Sequence, residues 1–271
     1  MDVLKRSMAP LTDDAWKFIT QEARTVLGLN LSARRIVDVS EPHGFDFSAL
    51  NLGRLDMGDG GEDDEVRFGT REVLPLVEAR ASFEIDIWEM DNIDRGARDP
   101  EVDDLHRAAK AISKFEERAI YGGLEEARIQ GLLQSSHYEE PVNVAGEPAG
   151  LPEAVGRAVL RLRYAGVEGP YALALGAALY TLLDTGCDGG YPIRRRIRDQ
   201  IEGPVVLAPY LTGGLVVSRR GGDTEMVIGQ DIEVGYHSHS ERSVRLFLSE
   251  SFTFRVLGPE AIAVLQVEGT S

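Results

Sequence analysis

Residues 220–236 read RGGDTEMVIGQDIEVGY, a run in which glycines, acids and a tyrosine crowd together. Such a run could cradle a phosphate, hold a metal, or only turn the chain between strands. A phosphate cradle needs a glycine-rich loop that opens a helix, with a lysine after its last glycine. The lysines are Lys5, Lys17, Lys110 and Lys114; none follows a glycine, and no helix start follows this run. Gly221-Gly222, between Leu215–Ser218 and Glu225–Ile228, therefore reads as a hairpin turn, and Asp231–Tyr236 as entry into a further alternating strand.

The other reactive groups point the same way. His237 and His239 share a strand face and could hold a metal weakly, but the plainer reading is a polar pair near a turn. Asp86, Glu89, Asp91 and Asp94 lie with Arg95 and Arg98 at a strand-to-helix junction, where capping and ion pairing are the default. The run GDGGEDDE at 58–65 departs from the EF-hand spacing and reads as a solvated tip. No H-E-x-x-H or G-x-S-x-G occurs, and Cys187, the sole cysteine, cannot build a zinc ribbon. No catalytic residue and no metal ligand is assigned.

The elements that would position these groups can be read from periodicity. Pro10 and Thr12 signal a helix start, with Asp13 and Asp14 at the positive end of its dipole. Trp16, Ile19, Ala23, Val26 and Leu27 then recur at helical spacing. Residues 53–74 read as a protruding β-hairpin. From Val77 to Ile87 every odd position is apolar, which predicts a half-buried strand roughly 35 Å long. Trp88 falls on the polar face, either as the strand end or as an aromatic platform. Asp99 and Pro100 predict the start of a long helix with the stripe Val102, Leu105, Ala109, Ile112, Phe115 and Ala119. Gly122 and Gly123 stop it after about 33 Å. Short α/β elements occupy 151–230: helices at 152–165, 177–183 and 192–201, and strands at 171–175, 205–207 and 215–218. Val244, Leu246, Leu248, Phe252, Phe254 and Val256 share one parity and line one strand face. Residues 261–267 add a last strand.

Composition sets the outer bounds. The chain has 271 residues, enough for a real core, with 43% hydrophobic and 27% charged residues. Its net charge of -16 argues against naked nucleic acid as a ligand. No apolar run has the length of a membrane span, and MDVLKRSMAP lacks the apolar centre of a signal peptide. The single cysteine excludes an internal disulfide framework, so a reducing, cytoplasmic setting is expected.

The opening stretch, with VRLFLSESFTFRV at 244–256, resembles the C-terminal signature of encapsulin shell proteins. The resemblance extends through LKRSMAPLTDDAW (4–16), RRIVDVSEPHGFDFSALNLG (34–53), REVLPLVEARASFEIDIWEMDNIDRG (71–96), GLLQSS (131–136) and GVEGPYALALG (166–176), nearly end to end and in order. It implies an α+β, HK97-like phage capsid fold with a peripheral domain, an axial domain and an extended loop. Residues 1–52 would then carry the N-terminal helix and the start of the peripheral domain, and 53–74 the extended loop. Residues 75–134 would be the peripheral domain with its spine helix, 135–225 the axial domain, and 226–271 the return to the peripheral domain.

The function implied is structural. Copies of the chain would close into an icosahedral nanocompartment around a cargo enzyme, such as a ferritin-like protein or a dye-decolorising peroxidase, held by a targeting peptide. The resemblance places the peptide site at Leu27, Arg34, Ile36, Val37, Asp38, Asp231, Ile232 and Tyr236. It places a pore lining at Thr185, Gly186, Cys187, Asp188, Gly189, Gly190 and Tyr191, where repeated Asp188 would form a cation-favouring ring. No cofactor is required; a flavin, held by some members, could stack on Trp88. Two alternatives stand beside this reading. A phage-type major capsid protein is disfavoured because the amphipathic helix begins by residue 12, as in encapsulins. A protease or bacteriocin-like enzyme lacks a nucleophile motif.

Overall fold

The computed structural model describes residues 3–58, 66–147, 149–188 and 190–267, apart from the side chains of Asp188 and Tyr191. Helix α1 (Asp13–Asn30) begins where its cap predicts: the Thr12 hydroxyl accepts from the Ala15 amide at 3.1 Å. It buries Ala15, Ile19, Ala23 and Leu27, one face at four-residue spacing. A 3-10 turn, Ala33–Arg35, follows. Strands β1 (Ala49–Met57) and β2 (Gly69–Pro75) then pair antiparallel as an arm. Nearly all of the acidic run at its tip, 59–65, lies outside the described residues.

Strand β3 (Val77–Asp86) stops one residue before the expected end. The Asp86 carboxylate accepts from the Trp88 amide at 2.7 Å and so caps a short helix, α2 (Ile87–Asp94). Trp88 is therefore not a residue of the sheet end: it stands in the first helical turn and is 70% exposed. The spine helix α3 runs from Asp103 to Gly122, some three residues later than Asp99 and Pro100 suggest. The Glu101 amide is tied to the Glu89 carboxylate at 2.9 Å, which keeps the preceding segment packed on α2 instead of in the helix. Twenty residues give α3 a length of about 30 Å.

After the short α4 (Leu132–Ser135) come β4 (Val142–Val144), α5 (Gly150–Tyr164), β5 (Tyr171–Leu175) and α6 (Ala177–Thr185). A two-residue ladder, β6 (Cys187–Asp188) with β7 (Tyr191–Pro192), leads into α7 (Ile193–Ile201), β8 (Glu202–Leu207) and β9 (Gly214–Ser218). Strands β10 (Thr224–His239), β11 (Ser243–Val256) and β12 (Ile262–Val267) close the chain.

Two sheets organise the molecule. The long antiparallel sheet has the order β10-β11-β3, and the mixed five-stranded sheet has the order β4-β12-β9-β5-β8. Consequently β9 and β10 do not form a hairpin. Gly221 and Gly222, at φ +88° and +83°, carry the chain from one sheet to the other, conformations that glycine adopts without a Cβ clash. Nor is 231–236 a separate strand. Gly229 sits inside β10 next to a register shift, where an added Cβ would meet Ser251 Oγ at 2.5 Å and Leu76 at 2.7 Å. Beyond the long sheet, β12 pairs with β9 and β4 in the five-stranded sheet.

Three cores result. α1, α3 and the long sheet enclose one, and α5, α6 and α7 with the five-stranded sheet enclose another. The third joins the two sheets through Phe252, Phe254, Ile120, Val217 and Ile262.

Candidate functional site

Helix α1 lies across β10 and leaves a narrow cleft. Leu27 and Ala23 form its helical wall; Ile232 and Val234 form its strand wall, with Arg6 and Arg24 at the rim. The helix spacing and the strand alternation bring these side chains together, because each element turns its apolar face toward the same seam. Of the eight residues expected to bind a peptide, Leu27 and Ile232 line this cleft. Tyr236 is buried beyond it, its hydroxyl 2.6 Å from His239 Nδ1.

The remaining five serve other contacts. Ile36 and Val37 are sealed in the core between the sheets. The Asp38 carboxylate accepts from the Gly222 amide at 2.8 Å and fixes the crossover between sheets. Arg34 is the hub of a buried ion cluster. Its Nε donates to Glu116 at 2.9 Å, Nη1 donates to Asp231 at 2.6 Å, and Nη2 lies 3.4 Å from Glu250. The Glu116 and Glu250 side chains are 0% and 1% exposed, whereas Asp231 is at the surface.

One residue along the spine, the buried Glu117 accepts from the Ala33 amide at 2.7 Å and from the Ser32 hydroxyl, which also meets Tyr121 at 2.8 Å. Burial pushes the Glu117 carboxyl up to about 7 against the opposing pull of these hydrogen bonds. The periodicity carried a signal for these acids. Glu116 and Glu117 follow Ile112 and Ser113 at helical spacing, and Glu250 has the parity of Leu248 and Phe252.

The other candidates are dispersed. Thr185 ends α6, and its hydroxyl donates to the Thr181 carbonyl at 2.8 Å. Gly186 is buried, Cys187 is an exposed free thiol, and Gly190 turns at φ +83° between β6 and β7. Gly189 and the side chains of Asp188 and Tyr191 lie outside the described residues. His237 bonds Ser238 at 3.0 Å, and no group of three or more His, Cys, Asp or Glu side chains suited to a metal occurs among the described residues. The acids at the α2 junction act as caps and ties, Asp94 accepting from Thr12 at 2.6 Å. No helix among the described residues is long and apolar enough to cross a membrane.

A family model described as an encapsulating protein for peroxidase matches residues 1–253. The type 1 encapsulin shell protein of Rhodospirillum rubrum is 39% identical over 272 residues, covering 98% of this chain and 97% of that protein. The chain belongs to the encapsulin shell-protein family. The encapsulin of Mycobacterium tuberculosis is 35% identical over 265 residues, covering 98% of this chain and 99% of its own.

Among solved structures, a virus-like particle from Pyrococcus furiosus aligns with a TM-score of 0.63 at 17% identity, over 94% of this chain and 99% of that one. A chain of Mycobacterium phage Bobi aligns with a TM-score of 0.56 at 15% identity, over 91% of each. At such identities the likeness is one of fold, and the fold is the HK97-like capsid fold.

Proposed function

We propose that copies of this chain close into an icosahedral, cytoplasmic encapsulin shell that encloses a cargo enzyme and has no catalysis of its own. The observation that carries this reading is the arm. It stands out as a two-stranded ribbon with Leu55, Met57, Val66 and Phe68 all more than half exposed. An isolated ribbon with apolar flanks is marginal in water and needs a cover. Another copy supplies it through heterologous contacts that close on themselves around symmetry axes. Encapsulin relatives of matching length favour this over a phage capsid, since the phage chains share only the fold. Size-exclusion chromatography and electron microscopy test it: closed particles of megadalton mass are expected, and a stable monomer or dimer at micromolar concentration overturns it.

The cleft between α1 and β10 is the proposed seat of the cargo's targeting peptide. Its Leu27 and Ile232 walls suit short aliphatic anchors, and Arg34 with Asp231 at the adjoining edge can fix register. The cargo class is a peroxidase, in keeping with the description of the matching family model, or a ferritin-like protein. Ile232→Asp is expected to leave particles intact and lower co-purifying cargo about tenfold, which corresponds to about 1.4 kcal/mol of lost binding. Cargo retained at the wild-type ratio would move the site elsewhere.

The loop 185–191 is proposed to line an opening through which small solutes reach the cargo. The exposed Cys187 thiol gives its test: a small thiol reagent should label assembled particles as fast as denatured ones, and a bulky label should slow cargo turnover. Labelling only after denaturation would place this loop away from any opening. Trp88, exposed on α2, remains a stacking face for a flavin; purified particles without flavin absorbance discard that assignment.

A further inference from the structure

We infer that Glu116 and Glu250 hold one proton between them beneath Arg34, and that this pair is a pH-sensitive latch fastening the N-terminal segment to the spine helix and the long sheet. The charge count points to it. One guanidinium faces three carboxyls, those of Glu116 on α3, Asp231 on β10 and Glu250 on β11, with Glu117 one residue further along α3 and Glu78 on β3 lining the space beside Glu250. Full ionisation would leave two fully buried carboxylates sharing one cation with a third. Like charges at that range cannot both be held in a dry interior unless one takes up a proton.

The contacts fit this state. Arg34 Nη2 lies 2.5 Å from Glu116 and 3.4 Å from Glu250, which sets the two buried carboxyls side by side on one donor. Arg34 gives Glu116 its close contacts, at 2.9 and 3.0 Å from Nε, and reaches Glu250 at only 3.4 Å. Burial, then the neighbouring Glu116 charge, holds the Glu250 carboxyl well above the usual carboxylate range, against the pull of Arg34. Glu250 Oε1 has no hydrogen-bond partner, and Glu250 lines a cavity of about 180 Å³ together with Gln230, whose side-chain amide is likewise unpartnered. That cavity lies at the base of the arm, against Phe45, Phe47 and Leu76, and gives the proton a way out.

The consequence for pH follows from linkage. The folded chain keeps protons that the unfolded chain releases near the ordinary carboxylate value, so stability falls as pH rises above that value. Glu117 contributes between the ordinary carboxylate value and about 7, and Glu250, held well above that ordinary value by burial, adds to the fall. When the pair loses its proton, two buried charges repel across the joint between the spine helix and the long sheet, and the packing of the segment around Arg34 against them loosens.

The test uses the full chain in a Glu117→Gln background, which removes the second protonated acid while keeping its shape. Infrared spectroscopy should show the carbonyl band of a neutral carboxylic acid at about pH 7, fading as pH rises, and Glu250→Gln should abolish it. Hydrogen exchange in residues 33–38, corrected for its intrinsic pH dependence, should accelerate about tenfold between about pH 6 and about pH 9 in the parent. Glu250→Gln, which mimics the protonated acid, should remove most of that acceleration. Absence of the neutral-acid band in the parent overturns the inference, as does a band that survives Glu250→Gln. So does equal acceleration with and without Glu250. If Glu250→Gln fails to fold, the parent's band alone decides.

Discussion

Arg34→Met is expected to destabilise the protein by about 3–5 kcal/mol near neutral pH, one of the two largest effects of any single substitution proposed for it. Methionine keeps much of the stem volume, so the loss reports the charge. Arg34 is the cation shared by Glu116, Glu250 and Asp231, and the side chains of the first two are buried. Deleting one member of a buried ion cluster leaves its partners desolvated and uncompensated. The carboxyls left behind escape by binding protons, so the deficit should shrink as pH falls and widen as it rises. Denaturant midpoints at about pH 5 and about pH 8 measure this, and a deficit equal at both would mean that Arg34 acts through packing alone. Because Arg34 also neighbours the proposed peptide cleft, cargo loss in this variant is not diagnostic of the cleft. Ile232→Asp, outside the ion cluster, separates the two.

Phe252→Ala should cost a similar ~3–5 kcal/mol, for an unrelated reason. The ring is fully buried in the core that joins the two sheets, edge-on to Phe115 with centroids 6.3 Å apart. It stands opposite Ile228 on β10 and Val77 on β3, so a cavity there borders all three strands of the long sheet. The denaturant midpoint of the purified particle should drop, and Phe252→Leu should recover most of the loss. A control with the opposite signature comes from the arm. Phe68→Ala removes a 63% exposed ring and should leave subunit stability within about 0.5 kcal/mol while impairing particle formation. Equal midpoints for Phe252→Ala and the wild type would show that the joint between the sheets does not limit stability.

Much of this fold is legible along the chain because local chemistry encodes it. Thr12 with Asp13 and Asp14 starts α1, and the spacing of Ile19, Ala23 and Leu27 selects its buried face. Strict alternation from Val77 to Asp86 defines β3, and the parity from Val244 to Val256 defines β11. Each signal involves residues within a turn or a pleat of one another. Membership of the encapsulin family was legible in the same way, since its blocks run in order from residue 4 to 256.

What only the tertiary structure decided involves partners far apart in sequence. The glycines at 221–222 announce a turn, but whether a turn closes a hairpin or crosses between sheets depends on which edges are free; β5 and β12 occupy both edges of β9, so β10 must pair elsewhere. Asp38, which the resemblance places at a peptide site, accepts from the Gly222 amide of that crossover, 184 positions away. The late start of α3 follows from a tie between Glu101 and Glu89 that no helix signal contains. Glu116 and Glu250 could be placed on buried faces by period and parity. That they share one guanidinium with Arg34, across 82 and 216 positions, could not. Periodicity tells a side chain which way to face, and only the packed chain supplies what it meets there.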